Sequence, residues 1–298
     1  MTHSVHAHGI AYSVAASALF AVLYYYSTLL EPMSGEQIFG WRILLTVPFA
    51  GIFLLLARRG GEVADILARL PREPWLWVAL PVSAILLNVQ LWLFMWAPVN
   101  SYALDVSTGY LLLPLTLAAT SRLVFREPMT RLQTIACAIA AVGVTCELIL
   151  TRSVAWPAFV VCLGYPVYYI LRRHLRTNSQ GGALIDMALA MPVGAFFIVT
   201  IPGASVAEAG TLALVLGLGV ISAAALGMMI TASQRLSLTL FGLLSYLEPL
   251  LLVVVALLLG ERIEGWQWLT YGAIFPAMLL LAWEGYRSLT TLRETARA

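Results

Sequence analysis

The sequence predicts an all-α membrane protein with ten transmembrane helices, and three observations lead to that fold class. Hydrophobic residues make up 61% of the 298 residues and charged residues only 11%, whereas a soluble domain carries about 25% charged residues. Apolar runs long enough to cross a bilayer recur along the chain, with short loops between them. The arginines cluster in alternate loops, which is typical of membrane proteins with a fixed orientation.

Ten apolar runs follow one another, each close to the roughly 20 residues that a helix needs to cross a bilayer. They cover approximately residues 9–29, 37–57, 75–97, 104–124, 130–150, 154–171, 183–201, 211–233, 238–259 and 266–286. The longest connection, from Arg58 to Pro74, is short and charged, which leaves no room for a soluble domain. The three cysteines fall in apolar segments, so no disulfide framework is expected.

The distribution of arginine predicts the orientation of the chain. If the N-terminus is cytoplasmic, 14 of the 17 basic residues, all of them Arg, fall on the cytoplasmic side. Only Arg152 and Arg262 then lie outside, and Arg42 lies within the second run. Because positive residues concentrate in cytoplasmic loops, we predict that both termini are cytoplasmic and that the number of spans is even.

The two halves of the chain resemble each other. The stretch from Trp41 to Leu55 can be aligned with the stretch from Ile185 to Val199, with a proline at the same position in each. A repeat of five helices is odd in number, so the second copy must enter the membrane upside down, as in many transporters. The sequence therefore predicts two inverted five-helix repeats, residues 1–152 and 153–298.

Glu248 places a carboxylate inside an apolar run, and Pro249 follows it at once. Proline lacks an N–H and its ring crowds the carbonyl of Ser245, so the helix is expected to open at this point. Pro114 has the matching place in the first repeat, and both prolines are predicted to serve a gate. An intramembrane carboxylate marks a functional site; the open alternatives for Glu248 are gating or packing, and contact with a proton or substrate.

Polar and aromatic residues within the apolar runs are predicted to line a substrate cavity, because a tyrosine at mid-depth has a hydroxyl to satisfy. Trp92 and Trp96 are four residues apart and share one helix face, which Asn88 extends by another turn. The predicted cavity residues are Tyr24, Asn88, Trp92, Trp96, Tyr110, Tyr168, Tyr246 and Glu248. Arg42 is either a clamp for a substrate carboxylate or a side chain that reaches the external headgroups or pairs with Glu36.

Two motifs resemble those of a known superfamily. The stretch SYLEPLLLVVVALLLGERI begins at Ser245, and WAPVNSYALDVSTGYLLLPL begins at Trp96 with Asp105 ahead of a Gly-Tyr pair. The first is similar to the penultimate helix of the drug/metabolite transporter superfamily, in its EamA-like branch of ten-helix permeases. The second is similar to the third-to-fourth helix region of the RarD and YddG members.

The resemblance implies a multi-pass exporter of the bacterial inner membrane that works by alternating access. The YddG-like comparison implies export of aromatic and other hydrophobic amino acids or related small metabolites. A lipophilic cation or another drug is the alternative substrate, because Glu248 would offset a positive charge. We expect a monomer whose partners are the bilayer and a small-molecule substrate, with no cofactor, metal or nucleic acid.

An enzyme is not expected, because the histidines that could act as a base lie only near the N-terminus and, as His174, in a predicted loop.

Overall fold

The structure is a computed structural model that describes residues 2–124, 126, 130–151, 155–201, 209–236, 241, 244–263, 265 and 267–295. Its helices are α1 (Thr2–Tyr26), α2 (Gly35–Leu56), α3 (Gly61–Arg69), α4 (Leu76–Val99), α5 (Ala103–Val124), α6 (Arg131–Thr151), α7 (Trp156–Leu175), α8 (Gln180–Ala188), α9 (Met191–Thr200), α10 (Ala209–Arg235), α11 (Leu247–Leu258) and α12 (Gln267–Thr295). No strand occurs in the part of the chain so described.

Six stretches of the described chain are helical, long and apolar enough to cross a membrane, which confirms a multi-pass membrane protein. They are His8–Leu30, Gly35–Leu56, Leu76–Val99, Ala103–Val124, Gln180–Thr200 and Gly210–Ser233. A helix suits such segments because lipid offers no hydrogen-bond partners, and a helix satisfies its backbone groups internally. The other four predicted spans, and with them the count of ten, remain predictions.

The predicted span 183–201 is divided into two helices, α8 and α9, with a turn at residues 189–190. The physical cause is Pro192, which stands at the start of α9. Proline has no N–H to continue the ladder of α8, and it disfavours helical geometry at the residue before it. The break brings Leu189 and Ala190 to the wall of a cavity described below.

The prolines of the two predicted gate helices differ in position. Within the described residues α11 begins at Leu247, so Glu248 and Pro249 lie in its first turn rather than in the middle of a helix. Proline is well tolerated there, because the first backbone N–H groups of a helix have no partner within the helix. Helix α5, in contrast, continues past Pro114 without interruption.

The segments flanking the spans are more helical than the sequence analysis predicts. The charged connection after α2 contains the amphipathic helix α3, whose Ile66 is buried. Helix α1 reaches back to Thr2, and α7 extends to Leu175, so Arg172 belongs to its last turn.

The chain forms two compact units. Unit 1 consists of Met1–Ala18, Ala103–Leu163 and Met228–Ala298, and unit 2 consists of Leu19–Tyr102 and Gly164–Gly227. Each unit takes residues from both halves of the sequence, so the units are defined by packing and differ from the proposed repeats. The repeat boundary at residues 152–153 stays a prediction.

Unit 2 is built around a close crossing of α2 and α9. Gly40 and Gly194 meet there, and a Cβ on Gly40 would collide with the carbonyl of Gly194. Small residues allow such close backbone approach in membrane helices. Helix α2 starts at a capping box in which Ser34 and Gln37 exchange hydrogen bonds, and the Nε2 of Gln37 also donates to the carbonyl of Ile201 at 2.7 Å.

Unit 1 contains an analogous close contact between α6 and α12. Gly143 lies against Ala273, and the hydroxyl of Thr270 donates to the carbonyl of Gly143 at 3.3 Å. Helix α5 makes a second such contact, because Gly109 lies against the backbone of Ala158 at the start of α7. Helix α11 packs along α5 in the same unit.

Candidate functional site

Unit 2 contains a cavity of about 590 Å³ between α2, α4 and α9. Its volume falls within the range of about 300–1,000 Å³ that is usual for small-molecule sites. Its walls are mainly apolar and aromatic, and they include Glu36, Phe39, Asn88, Trp92, Val193 and Phe197. Sites of this composition, with few polar groups, suit a small amphipathic solute.

Helical periodicity explains how the chain builds these walls. Pro81, Ile85, Asn88 and Trp92 all line the cavity, and their spacing of three or four residues places them on one face of α4. The opposite wall has members four residues apart that run from the turn at residues 189–190 into α9, namely Leu189, Val193 and Phe197. The cavity therefore depends on the position of the break that Pro192 causes.

Next to the cavity, unit 2 buries a network of polar side chains around Asp186 of α8. The Oδ2 atom of Asp186 accepts hydrogen bonds from the hydroxyls of Ser83 at 3.0 Å and Tyr168 at 3.1 Å. Arg172 places its Nη1 atom 4.0 Å from the same oxygen. Asp186 is only 1% exposed, and a carboxylate so buried requires such partners because its desolvation is costly.

Asn88 joins this network to the cavity. Its Nδ2 donates to the carbonyl of Asp186 at 2.7 Å and to that of Ala84 at 2.8 Å, while the residue lines the cavity. Among the described residues, the Oδ1 atoms of Asn88 and Asp186 have no hydrogen-bond partner. The network therefore retains acceptor capacity on two of its members.

Arg172 holds the turn between α7 and α8. Its guanidinium donates to the hydroxyl of Tyr168 and to the carbonyls of Thr177 and Ser179, and it lies over the ring of Tyr168, 5.2 Å from the centroid. The guanidinium of Arg carries five N–H donors in one plane, so it can bond to several acceptors at the same time. The ion pair thus fixes the register of α7, α8 and α4 within unit 2.

The N-terminus of α8 is capped by α3. Glu62 accepts hydrogen bonds from the backbone N–H of Gly181 at 2.8 Å and from Arg59 at 2.5 Å, and Arg59 also donates to Gln180 at 2.8 Å. Partial burial raises the pKa of Glu62, but the hydrogen bonds from Gly181 and Arg59 outweigh it, so the pKa is lowered. A carboxylate at this place also complements the positive end of the helix dipole.

Arg42 is buried in unit 2. Its Nε donates to the hydroxyl of Ser222 at 3.2 Å, and its guanidinium lies 5.2 Å from the ring centroid of Phe94. Tyr24, which is fully buried, packs against the same Phe94, with the two ring centroids 4.8 Å apart. Arg42 is therefore anchored in the interior of unit 2 rather than extended toward headgroups, and its role as a clamp stays a prediction.

The two tryptophans of the predicted aromatic face of α4 pack against each other. The ring centroids of Trp92 and Trp96 are 5.5 Å apart, and Trp96 stacks on Tyr102 at 5.2 Å. Of the predicted cavity residues in unit 2, Trp92 and Asn88 line the cavity described above. Trp96, Tyr24 and Tyr168 are not among its lining residues, and their contact with a substrate stays a prediction.

The remaining predicted residues belong to unit 1. Tyr110 of α5 is buried, and Tyr246 is the N-cap residue of α11. Glu248 is half-buried and Pro249 buried in the first turn of α11. Substrate contact and gating by these residues, and by Pro114, are predictions.

Sequence reasoning did not find the Asp186 network. Nothing in the sequence pairs Asp186 with Arg172, whereas the structure brings the two together. Two signals were present: an acidic residue within an apolar run, and the spacing of four residues between Tyr168 and Arg172, which places them on one helix face. Ser83 carried no signal, because a serine is common in membrane helices.

The chain is similar to bacterial transporters over almost its whole length. It is 38% identical to an uncharacterized transporter of Pasteurella multocida over 93% of this chain and 96% of that protein. It is also 38% identical to the chloramphenicol-sensitive protein RarD of Pseudomonas aeruginosa over 97% of both chains. The protein RarD of Escherichia coli is 24% identical over 97% of both chains.

No family model matches the chain. A solved protein crystal structure has the same fold, with a TM-score of 0.52 and 17% identity over 93% of this chain and 98% of that one. Identity above 30% across nearly the full length of the relatives decides the assignment. The protein belongs to the RarD-like family of membrane transporters.

Proposed function

We propose that the protein exports aromatic and other hydrophobic amino acids, or related small metabolites, across the bacterial inner membrane by alternating access. The proposal includes membership of the drug/metabolite transporter superfamily and ten spans arranged as two inverted five-helix repeats, with both termini cytoplasmic. The observation that carries it is the cavity of unit 2, whose aromatic walls and single amide suit a solute that combines a ring with polar groups.

Trp92 is the residue of this cavity that should discriminate aromatic solutes. Its indole supplies a large apolar face and one N–H donor, and aromatic pairs favour offset or edge-to-face contact. Phe39 of α2 and Phe197 of α9 add two further aromatic rings to the cavity lining. Asn88 adds an amide at the inner side, where it is held by the carbonyl of Asp186.

A second candidate is export of lipophilic cations or antibiotics. It is favoured by Glu36, the one ionisable group among the lining residues, whose carboxylate would offset a positive charge. None of the described lining residues is Arg or His, so the cavity of unit 2 itself offers no cation for a substrate carboxylate. The name of the P. aeruginosa relative associates that protein with chloramphenicol, which is a reason to include antibiotics in a substrate panel.

Uptake into proteoliposomes tests both candidates. The purified protein should move tryptophan, phenylalanine or tyrosine, and Trp92→Ala should raise the KM for these solutes more than it lowers the maximal rate. The matched control is Trp77→Ala on the same helix, because Trp77 is 65% exposed and does not line the cavity. Transport of lipophilic cations without any amino acid would refute the first proposal, and sensitivity of that transport to Glu36→Gln would support the second.

A further inference from the structure

Unit 1 contains a small cavity between α5, α6, α7 and α12, with a volume of about 30 Å³. A cavity needs about 10–15 Å³ to hold one water molecule, so this one accommodates a water or a small ion. Five of the residues that line it carry a side-chain oxygen, namely Asp105, Thr108, Gln267, Thr270 and Tyr271. The cavity therefore differs from that of unit 2 in both size and polarity.

The hydroxyl groups of this cavity use their protons in contacts with the protein itself. Thr108 donates to the carbonyl of Leu104 at 2.9 Å, so the hydrogen bond of 2.7 Å between Thr108 and Tyr271 must use the proton of Tyr271. Thr270 donates to the carbonyl of Gly143 at 3.3 Å. A hydroxyl oxygen retains acceptor lone pairs when its proton is used in this way. These three side chains therefore act as acceptors toward any further group in the cavity.

Asp105 is the one charged residue among the described residues that line the cavity. A carboxylate in the first turn of a helix usually complements the helix dipole, but at the start of α5 Glu261 has that role. Its two carboxylate oxygens accept the backbone N–H groups of Ala103 and Leu104, each at 2.7 Å. The charge of Asp105 is therefore not required to cap α5, and a carboxylate within a membrane span marks a functional site.

Two close contacts between helices adjoin the cavity and keep it narrow. Gly109, which follows Thr108 directly, lies against the backbone of Ala158. Gly143 lies in the same way against Ala273. Tightly packed interiors yield little to a larger occupant, and cavity size is one determinant of the choice between Na⁺ and K⁺. The dimensions of the cavity therefore favour the smaller ion.

We propose that this cavity of unit 1 binds one sodium ion, with the carboxylate of Asp105 as the counter-charge and the hydroxyl oxygens as neutral ligands. Hard cations take oxygen ligands, and the attraction between opposite charges is stronger inside a protein than in water. The sequence analysis expects no metal, whereas the tertiary structure brings together oxygens from residues 163 positions apart. The site goes beyond the proposed function and does not depend on the identity of the substrate.

Thermal unfolding of the purified full-length protein in detergent tests the site, with NaCl, KCl and choline chloride compared at equal ionic strength. The melting temperature should rise by about 2 °C for each tenfold increase in Na⁺ above its dissociation constant, because the ion binds the folded state only. It should change little with K⁺ or choline. Equilibrium binding of radiolabelled Na⁺ should saturate at one ion per chain.

Variants assign the ion to its ligands. Asp105→Asn should abolish the sodium-dependent rise, because the amide preserves the shape of the side chain and removes its charge. Thr108→Val should lower the affinity for Na⁺ about tenfold, whereas Thr108→Ser retains the hydroxyl and should retain the affinity. The Thr108 pair changes no charge, so it decides the result if Asp105→Asn does not fold. Asp65→Asn and Thr145→Val are the matched controls, because both residues are exposed and neither lines the cavity.

Two outcomes overturn the proposal. Equal shifts with Na⁺, K⁺ and choline would show an effect of ionic strength on a cavity that holds water only. A sodium-dependent rise that persists in both Asp105→Asn and Thr108→Val would place the ion elsewhere in the protein. Absence of all transport by the wild type would instead refute the proposed function and leave the binding results standing.

Discussion

Arg172 and Asp186 form a buried ion pair, with Nη1 and Oδ2 4.0 Å apart and the hydroxyl of Tyr168 bonded to both groups. The two charged residues are 3% and 1% exposed. Charges inside a membrane protein are expensive and are usually paired with each other. This pair joins two consecutive helices, α7 and α8, and Ser83 connects it to α4.

Removal of one member of this pair should destabilise the protein strongly. Asp186→Leu leaves the guanidinium of Arg172 buried without a counter-charge, and breaking such a pair typically costs about 3 to 5 kcal/mol. The double variant Arg172→Met/Asp186→Leu should lose less than the sum of the two single variants, because it leaves no uncompensated charge. Thermal unfolding of the wild type, the two single variants and the double variant in detergent measures this coupling. Arg173→Ala, at an exposed neighbouring position, is the control. Additive losses would show that the two charges are not coupled.

Glu62 should make the stability of the α3–α8 contact depend on pH. Its folded pKa is lowered from the ordinary value of 4.5, so its contribution is complete above that value and is lost as the pH falls through the lower folded pKa. Glu62→Gln should therefore lower the melting temperature at neutral pH, and the difference from wild type should close at strongly acidic pH. Asp65→Asn on the same helix is the control. A difference in melting temperature that stays constant with pH would show that the charge of Glu62 does not stabilise the contact.

Pro249→Ala should slow transport more than it weakens substrate binding. Alanine supplies the missing N–H, which allows α11 to extend backward toward Ser245 and to lose the turn at residues 245–246. Initial rates and binding isotherms of the variant measure the two effects, with Pro276→Ala within α12 as the control. Wild-type rates in Pro249→Ala would eliminate the proposed gate at this turn.

Glu248→Gln should retain much of the transport rate. If Glu248 serves the gate through hydrogen bonds, an amide keeps an acceptor and removes only the charge. Rates with and without a pH gradient distinguish this role from proton coupling. Loss of every response to the gradient, with binding intact, would assign the coupling proton to Glu248 instead.

The proposed topology predicts the side from which introduced cysteines react. Arg69 of α3 donates to the carbonyl of Leu175 at 2.9 Å, so the segment after α2 and the end of α7 lie at the same end of unit 2. Cysteines at the exposed positions 72 and 173 should react with an impermeant maleimide only from the cytoplasm, and one at Asn100 only from outside. The parent protein, with its native cysteines, gives the background. Labelling of positions 72 and 100 from one side would break the model of alternating spans.

The class of the protein and most helix positions followed from the sequence alone. Hydrophobicity and run length are local properties, and a bilayer forces a long apolar run into a helix. Trp92 and Asn88 could be placed on one face for the same reason, because the helical period relates residues four apart. Both residues line the cavity of unit 2, and their contact with a substrate stays a prediction.

Tertiary structure decided the contacts between segments distant in the chain. Glu261 bonds to residues more than 150 positions away, and no local pattern specifies which helix start a carboxylate will cap. Asp186 meets Ser83 and Arg172 only because the turn after α7 and the break before α9 fix the register of three helices. The helical period determines which face of its own helix a residue occupies. Which residue it meets on that face depends on how separate helices pack together, and no period in the sequence specifies that packing.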